Sequence, residues 1–211
     1  MPIQPSPARY LGRVSEIFHA SLPSSVCKTA STPQHADFLV HARFPGDPVS
    51  TAFACMLSHA LKTGKRPLIR GLPEAAFQGL IQNFFPGLRL QNGPANQNPP
   101  ATEDEYGDLV ALLMQHRRHQ TLASEWLCHA IVSASLNDNH LWQDMGLPNR
   151  GILSQLMQEN FPALAAKNTA DMKWKKFFYR QLCEQAEVLA CKSPNCTDCC
   201  DYALCFETEA A

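Results

Sequence analysis

Between residues 191 and 205 the chain reads CKSPNCTDCCDYALC, which places Cys191, Cys196, Cys199 and Cys205 at the spacing C-x4-C-x2-C-x5-C. Cys200 directly follows Cys199. Thiolates are soft anionic ligands that select zinc, cuprous copper or iron–sulfur clusters. Spacings this short let successive sulfurs converge on one centre, and Pro194 and Asn195 supply turn chemistry between the first two. The C-x4-C-x2-C portion has the spacing of a plant-type [2Fe–2S] loop, whose fourth ligand lies further on. Structural zinc sites usually pair two C-x2-4-C knuckles across a longer insert, and no second knuckle is present. Spacing therefore favours an iron–sulfur type centre over zinc. A disulfide framework is the competing reading of 9 cysteines in 211 residues. It fits poorly, because the opening MPIQPSPARY has no apolar signal region and no stretch is long and apolar enough to span a bilayer. A cytoplasmic setting is expected, where clustered cysteines serve as ligands.

A chain of this length can bury a sizeable core. Its net charge of -1, from 18 Lys+Arg and 19 Asp+Glu, gives no reason to expect nucleic-acid or membrane binding. No alternating β-branched runs bounded by hairpin turns occur, and the 16 prolines cluster in connecting stretches. The fold class is read as mainly α: a helical domain with irregular Pro-rich connections, ending in the cysteine-rich cluster-binding loop.

Residues 1–9 are Pro-rich and expected to be poorly ordered, with the helical domain covering 10–207. Leu11, Val14, Ile17 and Phe18 have helical spacing. Residues 21–47 read as mostly irregular, with Cys27 a loop thiol and His35 a surface imidazole. Asp47-Pro48 marks a helix start, an N-cap before proline at the first helical position. Phe53, Met56, Leu57, Ala60 and Leu61 follow at helical spacing, with Cys55 as a small core residue and His59 at the helix edge. GLPEAAFQGLIQNFFPGL (71–88) is echoed by GLPNRGILSQLMQENFPAL (146–164), with one residue inserted after Gly-Leu-Pro. Each copy reads as an amphipathic helix entered through proline and ended before Phe-Pro, and chance resemblance of two short helices competes with a true repeat. Residues 91–102, QNGPANQNPPAT, read as a linker that either divides two subdomains or forms a surface loop.

Thr102 and Glu105 form a capping-box pattern before Leu109, Val110, Leu112 and Leu113. The basic cluster His116, Arg117, Arg118 and His119 then suits a helix C-terminus. Thr121 opens a helix in which Cys128 is a core thiol. His140, Trp142, Gln143 and Asp144 mix polar groups with an aromatic, either as a junction whose buried polar groups satisfy one another or as a face towards the cysteine centre. Asp171 is read as the cap of the last long helix, whose Trp174, Phe177, Phe178 and Leu182 form one apolar face. Lys173, Lys176, Arg180 and Cys183 share another, a cationic stripe running towards the cluster. Cations there would offset thiolate charge and attract an oxyanion.

Three stretches resemble the NifQ family of nitrogen-fixation proteins: NHLWQDMGL (139–147), MKWKKFFYRQLC (172–183) and CKSPNCTDCCDYALCFE (191–207). NFPAL (160–164) also fits; Met145, where leucine is familiar, and the extra Cys200 depart from the pattern. The resemblance implies a molybdenum carrier and donor for biosynthesis of the nitrogenase iron–molybdenum cofactor, with a Mo–Fe–S cluster as cofactor and molybdate as metal source. It implies the assembly proteins NifH and NifEN as partners and no enzymatic activity. Cys191, Cys196, Cys199 and Cys205 are assigned as cluster ligands within a cluster-binding part covering 171–207. Cys183, Cys200 and His140 are secondary candidates, as an exchangeable molybdenum ligand or as support for the ligands, and Lys173, Lys176 and Arg180 are anion-attracting. An iron–sulfur electron-transfer protein and a zinc-stabilised interaction module are the alternatives. No phosphate-cradling glycine loop, nucleophile elbow or H-E-x-x-H pattern points to an enzyme.

Overall fold

A computed structural model describes residues 34–94 and 103–186. The cysteine run 191–205, the N-terminal segment through Pro33 with Cys27, and most of the 91–102 linker lie outside the described residues. The helices are α1 (His35–Val40), α2 (Pro48–Lys62), α3 (Glu74–Phe84), α4 (Glu103–Gln115), α5 (Leu122–Ser135), α6 (Leu141–Asp144), α7 (Arg150–Asn160), α8 (Pro162–Ala165) and α9 (Trp174–Gln185). Among the described residues there is no strand, so the chain is mainly α.

Helix α5 is the hub. Its Trp126, Leu127, Cys128, Ala130, Ile131, Val132 and Ala134 are all buried, so apolar side chains surround most of its circumference. A helix apolar on nearly every side must be enclosed by others, and α5 touches α2, α3, α4 and α6. Its start is fixed by Thr121, whose Oγ1 accepts the Ser124 N–H at 3.2 Å while Ser124 Oγ accepts the Thr121 N–H at 3.1 Å. Helix α2 begins where the Asp47-Pro48 pair predicts: the Asp47 carboxylate accepts the Ser50 N–H at 2.7 Å. Cys55 and Cys128 are buried core thiols, as their apolar neighbours imply. Burial raises the thiol pKa of both, that of Cys128 to about 12. A neutral thiol is a poor metal ligand.

The two GLP…FP segments are conformational copies. Gly71 and Gly146 have φ of +67° and +65°, the left-handed region that favours glycine. The leucines after them, Leu72 and Leu147, are both 4% exposed. Phe77, Leu80 and Ile81 of α3 are buried, as are their counterparts Leu153, Leu156 and Met157 of α7. Each helix then stops at a phenylalanine with the same backbone, Phe85 at φ -133°, ψ 59° and Phe161 at φ -133°, ψ 53°. A following proline disfavours the α region for the residue before it, which fixes that stop. The echo is therefore a repeated structural unit. The extra residue of the second copy changes the cap: α3 starts after Pro73, whereas α7 starts under Asn149, whose side chain accepts the Ile152 N–H at 3.1 Å.

Three details differ from the sequence reading. Helix α1 interrupts the stretch 21–47, with the Asp37 carboxylate accepting the Gln34 N–H at 2.7 Å. His35 consequently opens a helix, with its Nε2 buried rather than at the surface. Asp171 is not the cap of α9; it takes φ 52°, and its carboxylate pairs with Arg150 at 3.0 Å. Arg150 also donates to the Asp171 carbonyl, at 2.7 Å. These bonds tie the turn before α9 back to α7, so the helix opens only after buried Met172, with Lys173 at its N-cap. At the end of α4 the basic cluster behaves as a helix terminus predicts: His116 Nδ1 donates to the Leu112 carbonyl at 2.8 Å and Arg117 Nε to that of Met114 at 3.1 Å.

Candidate anion and metal site

The polar junction at His140–Asp144 forms because a buried acid gathers its surroundings. Asp144 is 3% exposed. It accepts the Asn139 N–H at 3.0 Å, the Asn139 side-chain amide at 3.2 Å and the Lys175 ammonium at 2.7 Å. Lys175 Nζ also donates to the Asn137 carbonyl at 2.6 Å. The junction reading of this segment is thus correct, and its buried carboxylate is satisfied as burial requires. The consequence reaches further, because Lys175 belongs to the first turn of α9. Its bonds pin that turn against the α5–α6 connection.

A cleft of about 490 Å³ lies along this contact. One side carries His140, the N-cap of α6, with Trp142; the other carries Lys173 and Lys176, with Leu153 and Trp174 adding apolar surface. Three of the residues singled out in the sequence are therefore brought together: His140, Lys173 and Lys176. Sequence spacing linked the two lysines but could not bring His140 to them, since that approach depends on the Asp144–Lys175 bond. Lys175 is the participant that spacing missed, since its partner Asp144 lies 31 residues away in sequence.

The rest of the cationic stripe goes elsewhere. Arg180 is bonded to Glu184 at 2.8 Å and lines, with Lys167 and Gln181, a separate hollow of about 210 Å³. Cys183 is a half-buried free thiol near the C-terminal end of α9. It lies about 10 Å along the axis from Lys176, at 1.5 Å per residue. Among the described residues no three His, Cys, Asp or Glu side chains converge as a metal site. Cys191, Cys196, Cys199, Cys205 and Cys200 lie outside the described residues. No helix among the described residues is long and apolar enough to cross a membrane.

An all-helical domain among the described residues, followed in sequence by a cysteine-rich run at 191–205, defines the class of protein. The family model described as NifQ matches residues 52–207, which span the cleft and every one of those cysteines. The chain belongs to the NifQ family. It is 48% identical over 160 residues to "Protein NifQ" of Klebsiella pneumoniae, covering 72% of this chain and 93% of that protein. It is 37% identical over 155 residues to the protein of the same name from Azotobacter vinelandii, covering 68% and 80% respectively. No solved structure matches the chain.

Proposed function

We propose that this chain is a molybdenum carrier: it holds molybdenum in a Mo–Fe–S cluster and delivers it for biosynthesis of the nitrogenase iron–molybdenum cofactor. The NifQ family is implicated in nitrogen fixation. The observation that carries the reading is the C-x4-C-x2-C-x5-C run inside the family-matched segment. Cys191, Cys196, Cys199 and Cys205 would hold the cluster, because four thiolates suit an iron–sulfur cage and suit hard oxygen-seeking cations poorly. Bound there, an incomplete cage supplies a vacant corner at which a metal can be taken up.

Molybdenum is cargo in this reading, so its attachment must be reversible. His140, a nitrogen ligand, is better suited to a releasable bond than a further thiolate, and Cys183 and Cys200 would support the ligands or exchange with them. The receiving partners are the cofactor assembly proteins NifH and NifEN, and the chain acts in the cytoplasm as a carrier, with no enzymatic turnover.

The test is metal analysis with paramagnetic resonance on anoxically purified protein, with and without molybdate. The expected result is iron in both preparations and stoichiometric molybdenum only with molybdate. Iron without molybdenum under both conditions would reassign the protein to electron transfer. Zinc without iron would make the cysteines a structural clamp.

A further inference from the structure

We infer that the cleft between α6 and the first turn of α9 is a docking site for a tetrahedral oxyanion, separate from the thiolates. Its substrate, molybdate, rests on the carrier reading above; the site itself rests on four features of the fold.

The first is charge of the wrong sign for a helix start. Helix N-termini are electropositive and favour acidic side chains, yet α9 has no acid in its first turn and no side-chain cap, with Lys173, Lys175 and Lys176 at that end. A cation there destabilises the helix start. A bound dianion reverses the sign of that interaction.

The second is how those charges are divided. Lys175 is committed to Asp144 at 2.7 Å. Lys173 and Lys176 have no ion pair among the described residues, and both line the cleft. The fold neutralises one lysine with a buried acid and leaves the two beside it to face the hollow. Asp138, exposed at the turn, is the one carboxylate in the lining among the described residues.

The third is an unsatisfied donor. Trp142 lines the cleft, is 9% exposed, and its indole N–H is buried with no acceptor among the described residues. A buried donor without a partner is costly, and indole can only donate. An oxyanion in the hollow would supply that acceptor once the indole edge swings towards it. Trp174 differs, since its indole N–H already reaches Ser154 Oγ at 3.2 Å.

The fourth is size. At about 490 Å³ the hollow is more than ten times the ~30 Å³ share of one water, room enough for a dianion with part of its hydration shell. His140 lines the same space. The oxyanion docks here first, about 10 Å along α9 from the half-buried Cys183 and ahead of the cysteine run.

The test uses the full-length chain freed of iron, with bound molybdenum measured after equilibrium dialysis against molybdate at low ionic strength. The chain should bind about one molybdate, and Lys173→Gln with Lys176→Gln should weaken binding at least tenfold. Trp142→Phe should weaken it several-fold. Without anion, the double lysine variant should melt no lower than the parent, which separates loss of binding from loss of fold. Serine at all four of Cys191, Cys196, Cys199 and Cys205 should leave this binding in place. Such a chain would still bind molybdate if the carrier reading failed. Equal binding by the lysine variant, loss of binding in the serine variant, or binding of phosphate but not molybdate would each overturn the inference.

Discussion

Lys175 Nζ sits 2.7 Å from Asp144 Oδ2, with the carboxylate side chain fully enclosed and the lysine side chain 17% exposed. This pair fastens the start of α9 to the end of α6. Removing one member of a buried pair leaves the other charge uncompensated, at a cost of about 3–5 kcal/mol, whereas replacing both with apolar residues is often near neutral. Asp144→Ala should therefore lower stability by about that amount, and Asp144→Leu combined with Lys175→Met should recover most of it. Denaturant titration of both chains checks this. Equal losses in the single and double variants would show that the pair carries no such coupling.

His140 tests the metal chemistry separately from the fold. His140→Ala should keep iron and lose molybdenum, or its transfer, when metal content is measured on anoxically prepared protein. Retention of both would make the imidazole a packing residue.

The cysteines divide into two groups with opposite expectations. Serine at any of Cys191, Cys196, Cys199 or Cys205 should lower iron content several-fold. Cys128→Ala should leave iron unchanged and cost stability, by roughly 1 kcal/mol or more, because that thiol is fully buried among apolar side chains. Iron assay and thermal melting on the same preparations separate the two.

The repeated glycine is checked by its neighbours. A Cβ on Gly146 would lie 2.8 Å from the Cys55 carbonyl oxygen and 2.8 Å from His59 Cβ, and φ is +65°. Gly146→Ala should destabilise by about 1–3 kcal/mol through strain of the left-handed backbone and the clash. Gly107, inside α4 with nothing within 4 Å of its position, should gain about 0.5–1 kcal/mol on change to alanine. Opposite signs in a melting experiment are the expected outcome.

Acid sensitivity follows from His129. Its ring packs beside Tyr106, with 2.6 Å between Nδ1 and the phenol oxygen, while that phenol donates to the Arg70 carbonyl at 2.5 Å. The carbonyl can only accept, so Nδ1 carries a proton and donates to the phenol oxygen. Burial pushes the His129 pKa below the ordinary histidine value of 6.5, with Glu125 acting in the other direction. The unfolded chain takes up its proton first as pH falls, so stability should begin to decline near pH 6.5 and continue to decline until the folded-state value is passed. His59, lowered by burial and by Lys65, adds to the same trend. Denaturation midpoints measured between pH 8 and pH 5 should fall, and His129→Gln should flatten part of the slope.

The helical class, the start of α2 at Asp47-Pro48, the apolar character of α5 and the core placement of Cys55 and Cys128 were legible because each depends on local spacing and capping chemistry. The GLP…FP echo was visible in the letters, but its reality rests on matched dihedrals at Gly71 and Gly146 and at Phe85 and Phe161. The cap of α9 was misplaced because Arg150, distant in sequence, draws Asp171 into a left-handed turn. By itself the sequence determined which thiols and lysines the chain carries and how they are spaced, since these are covalent properties of the chain. Tertiary structure alone decided which cations share a hollow: a buried carboxylate at 144 neutralises Lys175, sets α9 against α6, and so brings Lys173 and Lys176 to His140 while Arg180 is bonded to Glu184.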